Sequence, residues 1–445
     1  MSSHEQKIVY FDNNATTLMS DKVINSLVEW CNRGNPSADY ASAREAKQMM
    51  NDFRSQIAIE CGFELDGPNA FAIIFNSGAS ESNCHIVTSA VRSYAAKTKK
   101  LPHLITSAAE HKSLLSCCVR LEKEKLCQLT ILPVGSPGSK NLGSVDPNDL
   151  ARAIRPNTCL VSIMAANNET GILNNLREMS KTTKKAHIPF HTDAVQLFGK
   201  SAVRPILLGI DAFSASFHKL GGPPGVGILV IKKSLIDGYD LCSHICGSQN
   251  DGMRGGTENL PGIGASFTAF RFAMTDRTKK TLKVSQLKTL IKEKISAIVP
   301  CFYIDDYPTN KHSIDGGITQ PSSIGKVTET PEVKHAISNS IKKRTPVIFW
   351  IAPKDDLKVL PNTLLIAVHK TGFCNKIARS NLEKKGIIVS IGAACNTSSA
   401  DKGVIIAVNI QKSLRPGVLR ISLSDNSTVA DVELFVFHFI AVITA

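Results

Sequence analysis

HIPFHTDAVQLFGK (187–200) and IDAFSASFHKLGGPPGVGILVIKK (210–233) each run from a short apolar stretch into a turn dense with polar groups. IPFHTD reads as a buried strand ending at Asp193, AFSASF as a second ending near Ser216, and GILVI as a third. Such strands set their terminal residues along one edge of a parallel sheet, where open α/β folds bind ligands. Outward from this centre, FAIIF (71–75), HLITS (103–107), QLTILP (128–133) and CLVSIM (159–164) have the same character and alternate with amphipathic segments. That alternation predicts an α/β fold with a mostly parallel, doubly wound sheet.

The character changes after LPGIGASFTAFRFAM (260–274), which reads as a helix leaving the large domain. NTLLIAV (362–368), GIIVSIG (386–392) and VLRISLS (418–424) are the strand candidates beyond it, and KIVYFDN (7–13) precedes the large domain. The expected organisation is a large domain over 14–260 and a smaller α+β domain formed by 1–13 and 261–445. The polar, Pro- and Lys-containing stretch 303–355 is expected to be an insertion.

With 445 residues, 43% of them hydrophobic, the chain can bury two cores. No apolar run approaches the roughly 20 residues that span a bilayer, and MSSHEQKIVYFDNN lacks the basic and apolar regions of a secretory signal. A soluble cytoplasmic protein with no membrane partner is expected. The twelve cysteines show no repeated spacing, and buried free thiols are the default reading. Cys242 and Cys246 flank His244, but no second pair stands at zinc-ribbon spacing, so no metal is assigned. Of the net charge of +14, a large share lies in 271–385, where 21 basic side chains face 10 acidic ones. No nucleic-acid motif or aromatic interleaving accompanies it, so it reads as a solvated basic face and not as a nucleic-acid site.

Asp193 and Lys219 give the strand ends their chemical meaning. A pyridoxal enzyme needs a lysine amine to hold its cofactor as a Schiff base and a carboxylate to keep the pyridine nitrogen protonated. Either residue alone has a simpler reading, as a helix cap or a solvated loop lysine. NSGASESN (76–83), between a strand and a helix, adds a turn of small residues that can aim N–H groups and a helix N-terminus at a phosphate. Gly78, Ala79 and Ser80 form this candidate cup, joined by Ser216 and His218. EHKS (110–113) places His111 at another strand end, where an ordinary polar loop residue is the default and a ring stacked on a flat cofactor the alternative.

FDNNATT (11–17), GNPSA (34–38), NSGASES (76–82), EHKS (110–113), VSIMAANNETG (161–171), HTDAVQLFGK, SFHKLGGPPGVG (216–227), GMRGGTEN (252–259) and LRISLS (419–424) occur in the order seen in cysteine desulfurases. The chain resembles that group of the fold-type I pyridoxal 5'-phosphate enzymes over most of its length. The resemblance implies roles residue by residue. Lys219 would bind the cofactor covalently, Asp193 would pair with its ring nitrogen, Gln196 would hydrogen-bond its phenolic oxygen, and His111 would stack on the ring and shuttle protons. Asn168 would lie beside the cofactor oxygen and the substrate carboxylate, and Arg420 would clamp that carboxylate. Thr257 would reach the cofactor phosphate of a neighbouring subunit, implying a homodimer. Cys395, in SIGAACNTSSADKG, would be the nucleophile of an extended loop that takes sulfur from L-cysteine and passes it to an acceptor protein of unknown identity.

Three departures stand out: Ser82-Asn83-Cys84 where Ser-Asp-Asn is usual, Pro224 where a lysine is common, and Gln249-Asn250-Asp251 in place of Gln-Glu-Arg. The chain also stops at VITA, earlier than housekeeping members, which points to a different acceptor or to a role for 303–355 in docking. A selenocysteine lyase, a class-V aminotransferase, and an inactive homologue that binds nucleic acid through the basic region are the rival readings.

Overall fold

The computed structural model describes residues 7–306, 330–392 and 403–445. Its strands are β1 (Val9–Tyr10), β2 (Phe71–Asn76), β3 (His103–Ser107), β4 (Gln128–Leu132), β5 (Thr158–Ser162), β6 (Phe190–Asp193), β7 (Ala212–Ser216), β8 (Gly227–Lys232), β9 (Cys301–Tyr303), β10 (Val347–Trp350), β11 (Thr363–His369), β12 (Ile387–Ile388) and β13 (Val418–Ser422). A seven-stranded sheet has the order β2-β8-β7-β6-β5-β3-β4. It is parallel from β4 to β7, and β8 runs antiparallel to both β7 and β2. All seven apolar runs read from the sequence up to residue 233 are strands of this sheet, and the fold is α/β as the alternation predicts.

This topology carries a direct consequence. Because β2, β3, β6 and β7 all point the same way, Asn76, Ser107, Asp193 and Ser216 finish on one edge, and the loops that leave them share one rim. Centrally in the sheet, His191 is fully buried with its ring nitrogens on Ser162 Oγ (2.8 Å) and Ser214 Oγ (2.9 Å). Burial lowers its pKa to about 3, so it is a neutral cross-strand tie that fixes β6 between its neighbours.

The second sheet has the order β13-β11-β10-β9, with β11 antiparallel to β10 and β13. β1 pairs in parallel with β12, and Asp12 bridges to Ser422, so the N-terminal segment joins this half of the molecule. Phe11, Ile348, Trp350, Ile366, Leu419, Phe435 and Phe439 share its core. Within the stretch 303–355, Pro331–Lys343 forms a helix and Val347–Trp350 is an inner strand, while 307–329 lies outside the described residues. Among the described residues, no helix is long and apolar enough to cross a membrane.

Candidate active site

The turn after β7 is a single 3-10 turn, Phe217–Leu220, and its apolar member sets its aim. Phe217 is fully buried, 5.1 Å from the Phe53 ring, in a cluster that includes Phe198 and Phe270. Gly221 closes the turn at φ +85°, and a Cβ on Gly222 would lie 2.8 Å from Phe217 Cβ. With Phe217 anchored inward, His218 and Lys219 are left on the rim.

Lys219 Nζ donates to the carbonyl oxygens of Asn14 (2.8 Å) and Ala15 (2.7 Å). Burial, aided by the Arg420 charge and opposed by Asp193 and Asp12, lowers its pKa to about 8. An amine so poised has a substantial neutral, nucleophilic fraction near physiological pH. Asp193 is buried, and its carboxylate accepts from Asn83 Nδ2 (2.8 Å) and from the Val195 N–H (3.0 Å). Asn83 is thus the carboxylate's holder, although it stands at one of the three departures from the family pattern.

His111 caps the helix Lys112–Lys123, with Nδ1 accepting from Ser113 N (3.3 Å) and paired with Ser113 Oγ (2.8 Å). Its ring is open to solvent on one side, while surrounding protein still lowers its basicity, with Asp193 acting in the opposite direction.

The cup is built as the small residues require. Gly78 adopts φ +145°, and a Cβ on Gly227 of the adjacent strand would come within 2.5 Å of Gly78 Cα. The helix Ala79–Thr98 starts there without a side-chain cap. Among the described residues, the backbone N–H groups of Ala79 and Ser80 have no acceptor. Glu81, which accepts from Arg254 Nε (2.9 Å) and Ser77 N (2.9 Å), braces the outer side.

One cavity of about 500 Å³ gathers these groups: the cup, His111, Asp193, Gln196, Ser216, His218, Lys219, Asn168 and Arg420 all line it. Thr257 is exposed and does not line the cavity of its own chain. Cys395 lies outside the described residues; Ser390 and Gly392, which lead toward it, are on the cavity wall. Arg420 is buried but already engaged, donating to Asn168 O (3.1 Å) and paired with Asp12, and its Nε has no partner among the described residues. Unfilled N–H donors at a helix N-terminus, a held carboxylate and a low-pKa amine fit a flat, phosphate-bearing aldehyde cofactor.

Glu110 was not singled out in the sequence. Its Oε1 accepts from Ser107 Oγ (2.6 Å) and Met164 N (2.9 Å), and its buried Oε2 has no partner among the described residues. Burial outweighs those hydrogen bonds and pushes the carboxyl up to about 8, so it is protonated at neutral pH. A folded pKa above the unfolded one makes this contribution complete below the unfolded value near 4.5 and lost as pH climbs through about 8. Glu110→Gln, neutral throughout, is expected to flatten the fall in melting temperature over that interval; the wild-type slope in the variant would contradict the assignment.

Comparisons with known proteins bear on the family and the fold. The family model described as aminotransferase class-V matches residues 9–315. A cysteine desulfurase IscS from Dictyoglomus turgidum is 31% identical over 96% of this chain and 92% of its own. Another, from Methanosarcina thermophila, is 31% identical over 97% and 91%. Among solved structures, a NifS-like protein superposes with a TM-score of 0.76 at 26% identity, covering 98% of this chain and 99% of that one. A protein solved in complex with cysteine, SspA, gives a TM-score of 0.65 at 25% identity over 94% and 99%. By the extent of these matches, the chain belongs to the class-V aminotransferase family and, within it, to the cysteine desulfurases.

Proposed function

We propose that the protein uses pyridoxal 5'-phosphate to convert L-cysteine to L-alanine, taking the sulfur onto Cys395 as a persulfide. The observation that carries this reading is the convergence of Lys219, Asp193, His111 and the cup of free N–H groups on one cavity. When bound, the cofactor supplies an electron-accepting ring that makes a hydrogen beside the substrate amine acidic.

This chain's own groups do the rest. Ala79 and Ser80 N–H, with the Ser80, Ser216 and His218 side chains, would hold the phosphate. Asp193 would keep the ring nitrogen protonated, Gln196 would meet the phenolic oxygen and Lys219 would supply the covalent link. With its amine free, Lys219 would be the base that takes the substrate's α-proton, and His111 is placed to hold a second proton at the mouth. Arg420 and Asn168 receive the substrate carboxylate, for which Arg420 must shift from Asp12. The Cys395 thiolate attacks the substrate sulfur and the carbon–sulfur bond breaks with its electrons left on carbon, so sulfur stays on the enzyme as a persulfide and the remaining amino acid takes up two protons, one at the β-carbon and one returned to the α-carbon, to become alanine.

Gly392, on the cavity wall at φ +69°, packs where a Cβ would be 2.9 Å from Glu169 Oε2. We further infer a cytoplasmic homodimer in which Thr257 serves the partner's cofactor, and delivery of sulfur to a protein of iron–sulfur cluster assembly or thio-modification. Purified protein given L-cysteine and a thiol reductant is expected to form sulfide and alanine in equal amounts. A keto acid with the sulfur retained would instead indicate transamination.

A further inference from the structure

Lys200 closes the motif HTDAVQLFGK that contains Asp193, and nothing in the chemistry above uses it. The residue is half-buried, with its amine turned inward. Nζ donates to Gln196 Oε1 (2.8 Å) and to Asn14 Oδ1 (3.0 Å). Among the described residues it makes no ion pair, an expensive arrangement for a buried cation unless its hydrogen bonds serve a purpose.

Both acceptors are side-chain amides, whose oxygen and nitrogen ends are interchangeable until a neighbour decides between them. Asn14 is decided several times over: Oδ1 also accepts from Asn362 Nδ2 (3.0 Å), and Nδ2 donates to Thr363 Oγ1 (2.8 Å) and Asn168 O (3.1 Å). Gln196 has fewer partners. Apart from Lys200, its only described bond is from Nε2 to the Asn14 carbonyl oxygen (3.1 Å), the same oxygen that accepts from Lys219.

We propose that Lys200 is a positioning residue that fixes the Gln196 amide with Oε1 turned away from the cavity and Nε2 turned toward it, so that a hydrogen-bond donor is presented to the cofactor's phenolic oxygen. Reversing the amide would bring Oε1 against the Asn14 carbonyl oxygen and Nε2–H against the Lys200 N–H groups, losing both bonds at once. In the arrangement observed, one Nε2 hydrogen is used on Asn14 and the other has no acceptor among the described residues, while Gln196 lines the cavity. Burial and the charges of Lys219 and Arg420 lower the pKa of Lys200 to about 7, and either protonation state supplies the two hydrogens these acceptors take. This role rests on the cofactor reading above.

The test reads the visible absorption band of the holoenzyme as a function of pH, in wild type, Lys200→Met, Gln196→Ala and the double variant. Methionine keeps an unbranched chain one atom shorter and removes the donor together with the charge, whereas Lys200→Gln, which keeps a donor without the charge, separates the two and is a second variant should the first not fold. The midpoint of the band's titration is expected to move by about one pH unit, a tenfold change in proton affinity, in Lys200→Met. Gln196→Ala should move it the same way, and the double variant no further than Gln196→Ala alone. Lys200→Gln should lie nearer the wild type. An unchanged midpoint in Lys200→Met, or a full additional shift in the Gln196→Ala background, overturns the role. A wild type that takes up no chromophore overturns the cofactor reading and this role with it, whereas a coloured wild type with an indifferent Lys200→Met overturns the role alone.

Discussion

Lys219→Ala is expected to leave a folded, colourless protein whose turnover of L-cysteine falls by about 10⁴-fold or more, the scale seen when a group acting with others as a unit is removed. Two losses combine: the covalent link to the cofactor and the base for the α-proton. The fold should survive, because Phe217 and the glycines anchor the turn and the lysine only caps the carbonyls of Asn14 and Ala15. Lys219→Arg separates position from chemistry. It retains donors for those carbonyls but no amine able to condense with an aldehyde, so it should restore thermal stability without restoring colour or turnover. In the wild type, the rate at which cofactor-free protein captures the aldehyde should rise as pH passes through about 8, where the amine loses its proton. A pH-independent capture rate from 6 to 9 would place the reactive amine elsewhere.

Cys395→Ala is expected to have the opposite signature. Lys219, Asp193 and the cup are untouched, so the protein should be as coloured as the wild type and its spectrum should respond to added L-cysteine. Alanine formation should nonetheless fall to background, because among the described residues no cysteine lines the cavity. Cys61, Cys118, Cys127 and Cys159 are buried, and burial holds each thiol above its usual pKa, with Cys61 up to about 12 and Cys127 up to about 11. Alanine formed by the variant at the wild-type rate would remove Cys395 from the reaction.

The large sheet is legible in the sequence because its strands are continuous apolar runs, and a strand that ends on Asp193 or Ser216 advertises its rim by the change to polar residues. Val347–Trp350 is equally apolar, but at four residues, amid a polar and basic stretch, it gave no period to read. The groups that aim the site are the least legible part. Asn83 ends the quoted NSGASESN, yet its bond to Asp193 crosses 110 positions. Asn14 meets Thr363 across 349 positions and Arg420 meets Asp12 across 408. Side chains that act through such distant partners have ordinary local surroundings in the sequence. Only the fold brings Lys200, Asn14 and Gln196 together, and Glu110 reads as a loop carboxylate until its burial is seen.

The most direct test of the central claim is the mass of the Cys395 peptide after a single turnover with L-cysteine in the absence of reductant. Desulfuration through the assigned groups predicts one additional sulfur atom on Cys395, with one alanine released per modified site. Alanine without the added sulfur, or the added sulfur on another cysteine, would contradict it.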